Sequence, residues 1–179
     1  MNPLDQTSVT LNKALAYARE KSIQYIVVAS VSGKTAETLL TYRNNIKVVC
    51  VSHVTGFTEN GVQEMRPEVR SHLEEGGIPV VTTTHALSGA ERGLSTCFGG
   101  VYPVEIIAHT LRMFGQGVKV AVEIAVMALD AGTIPFGEKV IAVGGSGKGA
   151  DSAVLLTPAH AQRILETRIH EVICKPYEF

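Results

Sequence analysis

Two tripeptides of the same composition, Ser32-Gly33-Lys34 and Ser146-Gly147-Lys148, are the residues of this sequence whose types and spacing best suit an anion. A hydroxyl, a glycine that lets backbone approach closely and an ammonium together present a phosphate with several donors. Each follows an apolar run: Ile26 to Ala36 reads IVVASVSGKTA, and Val140 to Ala150 reads VIAVGGSGKGA. The echo is local and too short for a duplicated domain. Ser30 and Thr35 add hydroxyls to the first tripeptide, and Gly144 and Gly145 precede the second.

The two tripeptides lead into different elements. The first leads from a strand into a helix opening near Lys34-Thr35, so free N–H groups, the positive end of the helix dipole, hydroxyls and an ammonium converge. The bland alternative is an ordinary cap, with Ser32 capping, Gly33 relieving strain and Lys34 solvated. A Walker P-loop is excluded, because its first glycine would fall at position 28, where Val28 stands. The second contains G-x-G-x-x-A from Gly145 to Ala150, but Val154-Leu155-Leu156 reads as strand, so the dinucleotide fingerprint lacks its helix. Its expected role is a wall formed by Gly144, Gly145, Ser146, Gly147 and Lys148; the alternative is a plain hairpin connection.

Other polar residues are expected at the same crevice. His53, Thr55 and Gly56 follow the second strand, and Thr82, Thr83, Thr84 and His85 follow the third. Either histidine could serve as a general acid or base, although hydrogen-bonded structural histidines are commoner at strand ends. Glu105, His109 and Arg112, and the pair Lys119 and Glu123, sit at helical spacings and read as surface ion pairs or subunit contacts. Cys97, in Ser95-Thr96-Cys97-Phe98-Gly99-Gly100, has no local base and is left outside the site.

The elements that must position these groups follow from hydrophobic periodicity. Ser8 or Thr10 caps a first helix carrying Leu11, Ala14, Leu15 and Ala18. Nearly unbroken apolar runs over Ile23 to Ala29, Ile46 to Ser52, Ile78 to Thr82 and Lys139 to Val143 read as strands buried on both faces. Helices are expected over Thr35 to Tyr42 and over Gly61 to Glu75 with Pro67 inside. A pair from Pro103 to Gly132 is expected to cover the sheet. Ala153 to Thr157 is a fifth strand, Pro158 to Leu165 a short helix, and Arg168 to Lys175 an edge strand. The alternation predicts a single α/β domain over residues 1–179, a mostly parallel sheet sandwiched by helices, with ligands beyond the carboxyl ends of the strands.

Composition sets the bounds on partners. The chain has 179 residues, 45% hydrophobic and 18% charged, with a formal net charge of −1. Those values fit a globular protein and give no reason to expect nucleic acid or a membrane surface. Three scattered cysteines, Cys50, Cys97 and Cys174, suit a reducing cytoplasm rather than a disulfide framework or a zinc site. The stretch Val118 to Ala131 is too short and too charged to span a bilayer, and Met1 to Gln6 does not read as a signal sequence.

The run from Ala18-Arg19-Glu20 through Ile26-Val27-Val28 to Ser32-Gly33-Lys34-Thr35-Ala36 and Tyr42-Arg43 resembles the C-terminal domain of pyruvate kinase. That domain has a helix, a strand, an S-G-[KR]-T-A loop and a K-Y-R helix end in this order. Across the chain the order of elements is similar to the stand-alone pyruvate kinase C-terminal-domain-like proteins of archaea and bacteria, where Leu111 to Gly117 and Gly147 to Asp151 also have counterparts. The resemblance implies a three-layer α/β/α fold with a mixed sheet of about five strands, the last antiparallel.

It also implies a phosphate on Ser30, Ser32, Gly33, Lys34 and Thr35, with Gly144 to Gly149 as a closing loop. The residues of that loop depart from the family pattern and the chain has no tryptophan, which counts against a sugar bisphosphate. Kinase activity does not carry over, since it resides in a (β/α)₈ barrel of about 250 residues. The leading expectation is a module binding a phosphorylated metabolite or flavin mononucleotide (FMN), the FMN ring lying along the Gly144 to Gly149 wall. The alternatives are a small enzyme acting on a phosphorylated substrate or using a flavin, and an oligomeric subunit with a vestigial pocket. A homo-oligomer is expected, and no metal.

Overall fold

The computed structural model describes residues 3–147 and 149–178. Its centre is β1 (Tyr25–Ala29), β2 (Lys47–Val51) and β4 (Val140–Gly144), whose β-branched runs are buried almost throughout. Successive side chains of a strand point to opposite faces, and here both faces are covered. Ile26, Val28, Val48, Cys50, Ile141 and Val143 enter one core, while Val27, Val49, Val51, Val140 and Ala142 enter the other. The first core is closed by α1 (Pro3–Glu20), α2 (Lys34–Tyr42) and α3 (Pro67–Glu75), the second by α6 (Gln116–Asp130).

With β3 (Val80–Val81), β5 (Ser152–Thr157) and β6 (Arg168–Cys174) the sheet has six strands in the order β3-β2-β1-β4-β5-β6. The pairs β1–β2, β1–β4 and β2–β3 are parallel, and β4–β5 and β5–β6 antiparallel. This is a mostly parallel mixed α/β sheet with six strands instead of five; β5 alone runs against the others, so the last strand, β6, is parallel to β4 instead of antiparallel to the sheet. From β1 the chain goes through α2 to β2 on one side, and β4 lies on the other. The carboxyl ends of β1 and β4 therefore flank a topological switch point, where open α/β sheets place ligands.

Four local expectations are corrected. Helix α1 begins at Pro3, a residue suited to a first turn, so Ser8 and Thr10 lie inside it and cap nothing. Helix α3 begins at Pro67, with Arg66 extended at ψ 143°, because a proline disfavours helical backbone in the residue before it. Residues 61–66 are consequently loop. The expected short helix from Pro158 is a 3₁₀ segment, Ala161–Glu166. Of the expected pair only α6 covers the sheet directly: α5 (Pro103–Arg112) packs on α6, and α4 (Ala90–Phe98), which the sequence reading did not include, packs on α5 without a single buried residue. Among the described residues no helix is long and apolar enough to cross a membrane.

Candidate functional site

Beyond the ends of β1, β2 and β4 lies a cleft of about 940 Å³. Its wall on the β1 side is the first Ser-Gly-Lys loop, shaped by glycine and serine. Gly33 has φ +91°, a left-handed conformation that glycine adopts without penalty, and a Cβ there would collide with Val69 of α3. The turn delivers the chain into α2 with Lys34 as its first residue. The cap is Ser30, not Ser32: buried Ser30 Oγ accepts the N–H groups of Thr35 at 3.2 Å and Ala36 at 3.5 Å. No hydrogen bond among the described residues engages the N–H groups of Ser32, Gly33 or Lys34. The positive end of α2 thus opens into the cleft beside the side chains of Ser32, Lys34, Thr35 and Thr38.

The second loop is a hairpin tip. Gly144 pairs with Ser152 across the antiparallel β4–β5 ladder, and Asp151 N–H returns to Gly144 O at 3.0 Å. Ser146 turns inward, its N–H and Oγ both donating to Asp151 Oδ2 at 3.1 and 2.8 Å. Asp151 Oδ1 lies against Gly117, in the first turn of α6, where any Cβ would meet it. The helix end nearest this loop is therefore already faced by a carboxylate. Gly145 backs onto the Gly149 carbonyl, and Gly145, Ser146 and Gly147 do line the cleft. Gly144 does not: it packs under α6, against Gly117 O and Ala121 N. Lys148 lies outside the described residues.

On the β2 and β3 side, His53 and His85 line the cleft, while Thr55, Gly56 and Thr84 do not. His53 Nδ1 is 2.7 Å from Glu64 Oε2, and His85 Nε2 accepts Val54 N–H at 3.3 Å. Burial holds the His85 pKa below its ordinary value, so the ring is neutral near pH 7. Phe57 packs against both rings at tilts of 38° and 46°, centroids 4.0 and 5.3 Å away, and itself lines the cleft.

The floor contains what sequence spacing misassigned. Lys119 and Glu123 of α6 form an ion pair, but their exposures of 3% and 5% place it in the interior rather than on the surface. Glu123 Oε1 also accepts Leu87 N–H at 2.8 Å, tying the loop after β3 to α6. Burial pushes the Lys119 pKa down, and Glu123 opposes that shift. Arg92 and Arg112 line the far wall. Glu105 takes no part in an ion pair with His109 or Arg112 among the described residues; it accepts Tyr102 N–H and the Ser95 hydroxyl, joining α4 to α5. Cys97 sits on exposed α4, apart from the cleft. Lys34, Arg92, Arg112 and Lys119 against Glu123 leave the cleft lining cationic.

The family described as "Pyruvate kinase, alpha/beta domain" matches residues 9–155. Among solved structures, a pyruvate kinase from Cryptosporidium parvum is 16% identical, with 81% of this chain and 21% of that one covered and a TM-score of 0.40. A pyruvate kinase of the same organism in complex with ADP is 15% identical, with 92% and 22% covered and a TM-score of 0.39. The chain spans about a fifth of the length of these enzymes.

Proposed function

This chain belongs to the pyruvate kinase alpha/beta domain family, and on that premise we propose that it binds a phosphate-bearing small molecule in the cleft at the switch point. The observation that carries the reading is the opening of α2 into the cleft, with unengaged N–H groups at Ser32, Gly33 and Lys34 and the Lys34 and Ser32 side chains beside them. A cationic lining supports it. Phosphate takes the positive end of a helix and short, charge-assisted hydrogen bonds there. The body of the ligand then extends over the α6 floor toward Arg92 and Arg112.

The volume suits a phosphorylated metabolite or a mononucleotide such as FMN. For FMN the residues present fit the phosphate end at Ser32 to Thr35. They offer a flat ring the exposed Phe57, in addition to the backbone of Gly145, Ser146, Gly147 and Gly149. The proposal concerns this domain alone and assigns it no pyruvate kinase chemistry. Titration with inorganic phosphate, FMN and hexose phosphates, followed by calorimetry and ³¹P NMR, tests it. Saturable binding of at least one organic phosphate, competed by inorganic phosphate, is the expected result, and no heat and no ³¹P response from any of them ends the reading.

We also propose that copies of the chain associate. Leu94 and Phe98 of α4, Ile106 of α5, and Met113 and Phe114 beyond it are large apolar side chains left at the surface, in a region that contributes little to the core. Light scattering that gives a monomer at micromolar concentration removes this part.

A further inference from the structure

A carboxylate held against one ring nitrogen of a histidine fixes that nitrogen as a donor and leaves the other to accept a proton. His53 is arranged in this way: Nδ1 faces Glu64, and Nε2 takes no hydrogen bond among the described residues. The loop around it is braced by side chains. Gln63 Nε2 donates to His53 O at 3.0 Å while Gln63 Oε1 accepts Met65 N–H at 3.1 Å, and Ser52 Oγ donates to His53 O at 3.2 Å. Gln63 thereby holds the turn that sets Glu64 against His53. Phe57 shields the pair from one side.

His85, whose ring centroid is 5.5 Å from that of His53, is complementary. Because Nε2 accepts the Val54 N–H, the proton of the neutral ring is on Nδ1, and His85 is a donor rather than a second base. Lys119 lies close enough to act electrostatically on it. The cleft thus joins a phosphate holder, one base, and donors for a developing oxyanion. Among the described residues it offers no activated thiol: the nearby Cys50 is fully buried and pushed up to about 12.

We propose that this cleft catalyses proton transfer on a phosphorylated α-hydroxycarbonyl compound, with His53 as the base, Glu64 as its positioning residue and His85 as donor to the carbonyl oxygen. The inference rests on the phosphate reading above, which orients the substrate. His53 Nε2 takes a proton from the carbon beside the carbonyl. The C–H electron pair becomes the C=C bond of an enediolate, and the carbonyl π pair moves to the oxygen that His85 and Lys119 stabilise. Return of a proton from the imidazolium to the carbon that lost it re-forms the carbonyl and closes the cycle, and no co-reactant is consumed.

The test uses the full chain in D₂O with glycerone phosphate and fructose 6-phosphate, ¹H NMR reporting deuterium entering the substrate and ³¹P NMR reporting binding. The wild type incorporates deuterium; His53→Gln lowers the rate about 100-fold or more and Glu64→Gln about 10-fold, while both keep the ³¹P response and the melting behaviour of the wild type. If His53→Gln does not fold, Glu64→Gln carries the comparison. Exchange at the buffer rate in a wild type that binds, or equal rates in wild type and variants, overturns the inference and leaves the binding reading standing. A ³¹P signal that never responds removes both.

Discussion

The two Ser-Gly-Lys loops have the same three residues after similar apolar strands, and the fold puts them to different uses. The first sits between a strand and a helix, so its turn ends on α2, with N–H groups of 32–34 left over and the cap supplied from Ser30 behind them. The second sits between two antiparallel strands, so its N–H and hydroxyl are drawn back to Asp151, whose carboxylate also faces the start of α6. An anion-binding tripeptide is only as good as the helix end it leads to. Where that end already faces a carboxylate, the same residues close a hairpin.

The contrast breaks most severely at the glycines. Gly33→Ala forces a side chain into a left-handed turn and into Val69, and about 3 kcal/mol of stability and the phosphate affinity are both expected to go. Gly145→Ala collides with the Gly149 carbonyl and costs a comparable one to three kcal/mol, roughly, but phosphate affinity in the folded fraction stays. Urea unfolding with phosphate titration separates the two. Should both variants lose phosphate equally, the loops are not functionally distinct.

A milder pair sharpens the same point. Ser30→Ala removes the buried cap of α2 and should cost about 1 kcal/mol, whereas Ser146→Ala, on an exposed hairpin, should stay within about 0.5 kcal/mol by the same unfolding measurement. The smallest effect is a pH slope on the β2 and β3 side of the cleft. Burial lowers the His85 pKa below 6.5, so below that pH the unfolded chain takes up a proton that the folded one resists. Stability therefore rises with pH through the window just below 6.5. Thermal melts from pH 5 to 7 should show this slope reduced in His85→Gln, and an unchanged slope would show that the ring titrates normally.

Much of the scaffold was legible because burial leaves a mark on composition. Ile26 to Ala29, Val48 to Val51 and Val140 to Val143 are β-branched runs that only a two-sided strand requires, and Pro103 sits at the start of α5 as its missing N–H demands. Helix α4 was missed although Ala90, Leu94, Cys97 and Phe98 recur at helical spacing: Gly89, Gly93, Ser95 and Thr96 around them read as loop, and the stripe buries nothing. The site was legible at the first loop, where strand, glycine and helix are contiguous. Lys119 and Glu123 were visible as a pair, but an i,i+4 spacing does not say which face of a helix it occupies; the apolar residues all round α6 were the available signal of burial. Glu64 and Arg92 were out of reach, because an irregular loop brings Glu64 to His53 and an outlying helix brings Arg92 to the cleft without any sequence period.

The central claim, that one loop holds the phosphate and the other does not, is tested most directly by calorimetric titration of one phosphorylated ligand into three proteins. These are the wild type, Ser32→Ala/Lys34→Ala and Ser146→Ala. The account predicts a loss of about tenfold or more in the double variant, about 1.4 kcal/mol, and a change within about twofold in Ser146→Ala. Equal losses in both, or a loss confined to Ser146→Ala, would contradict it.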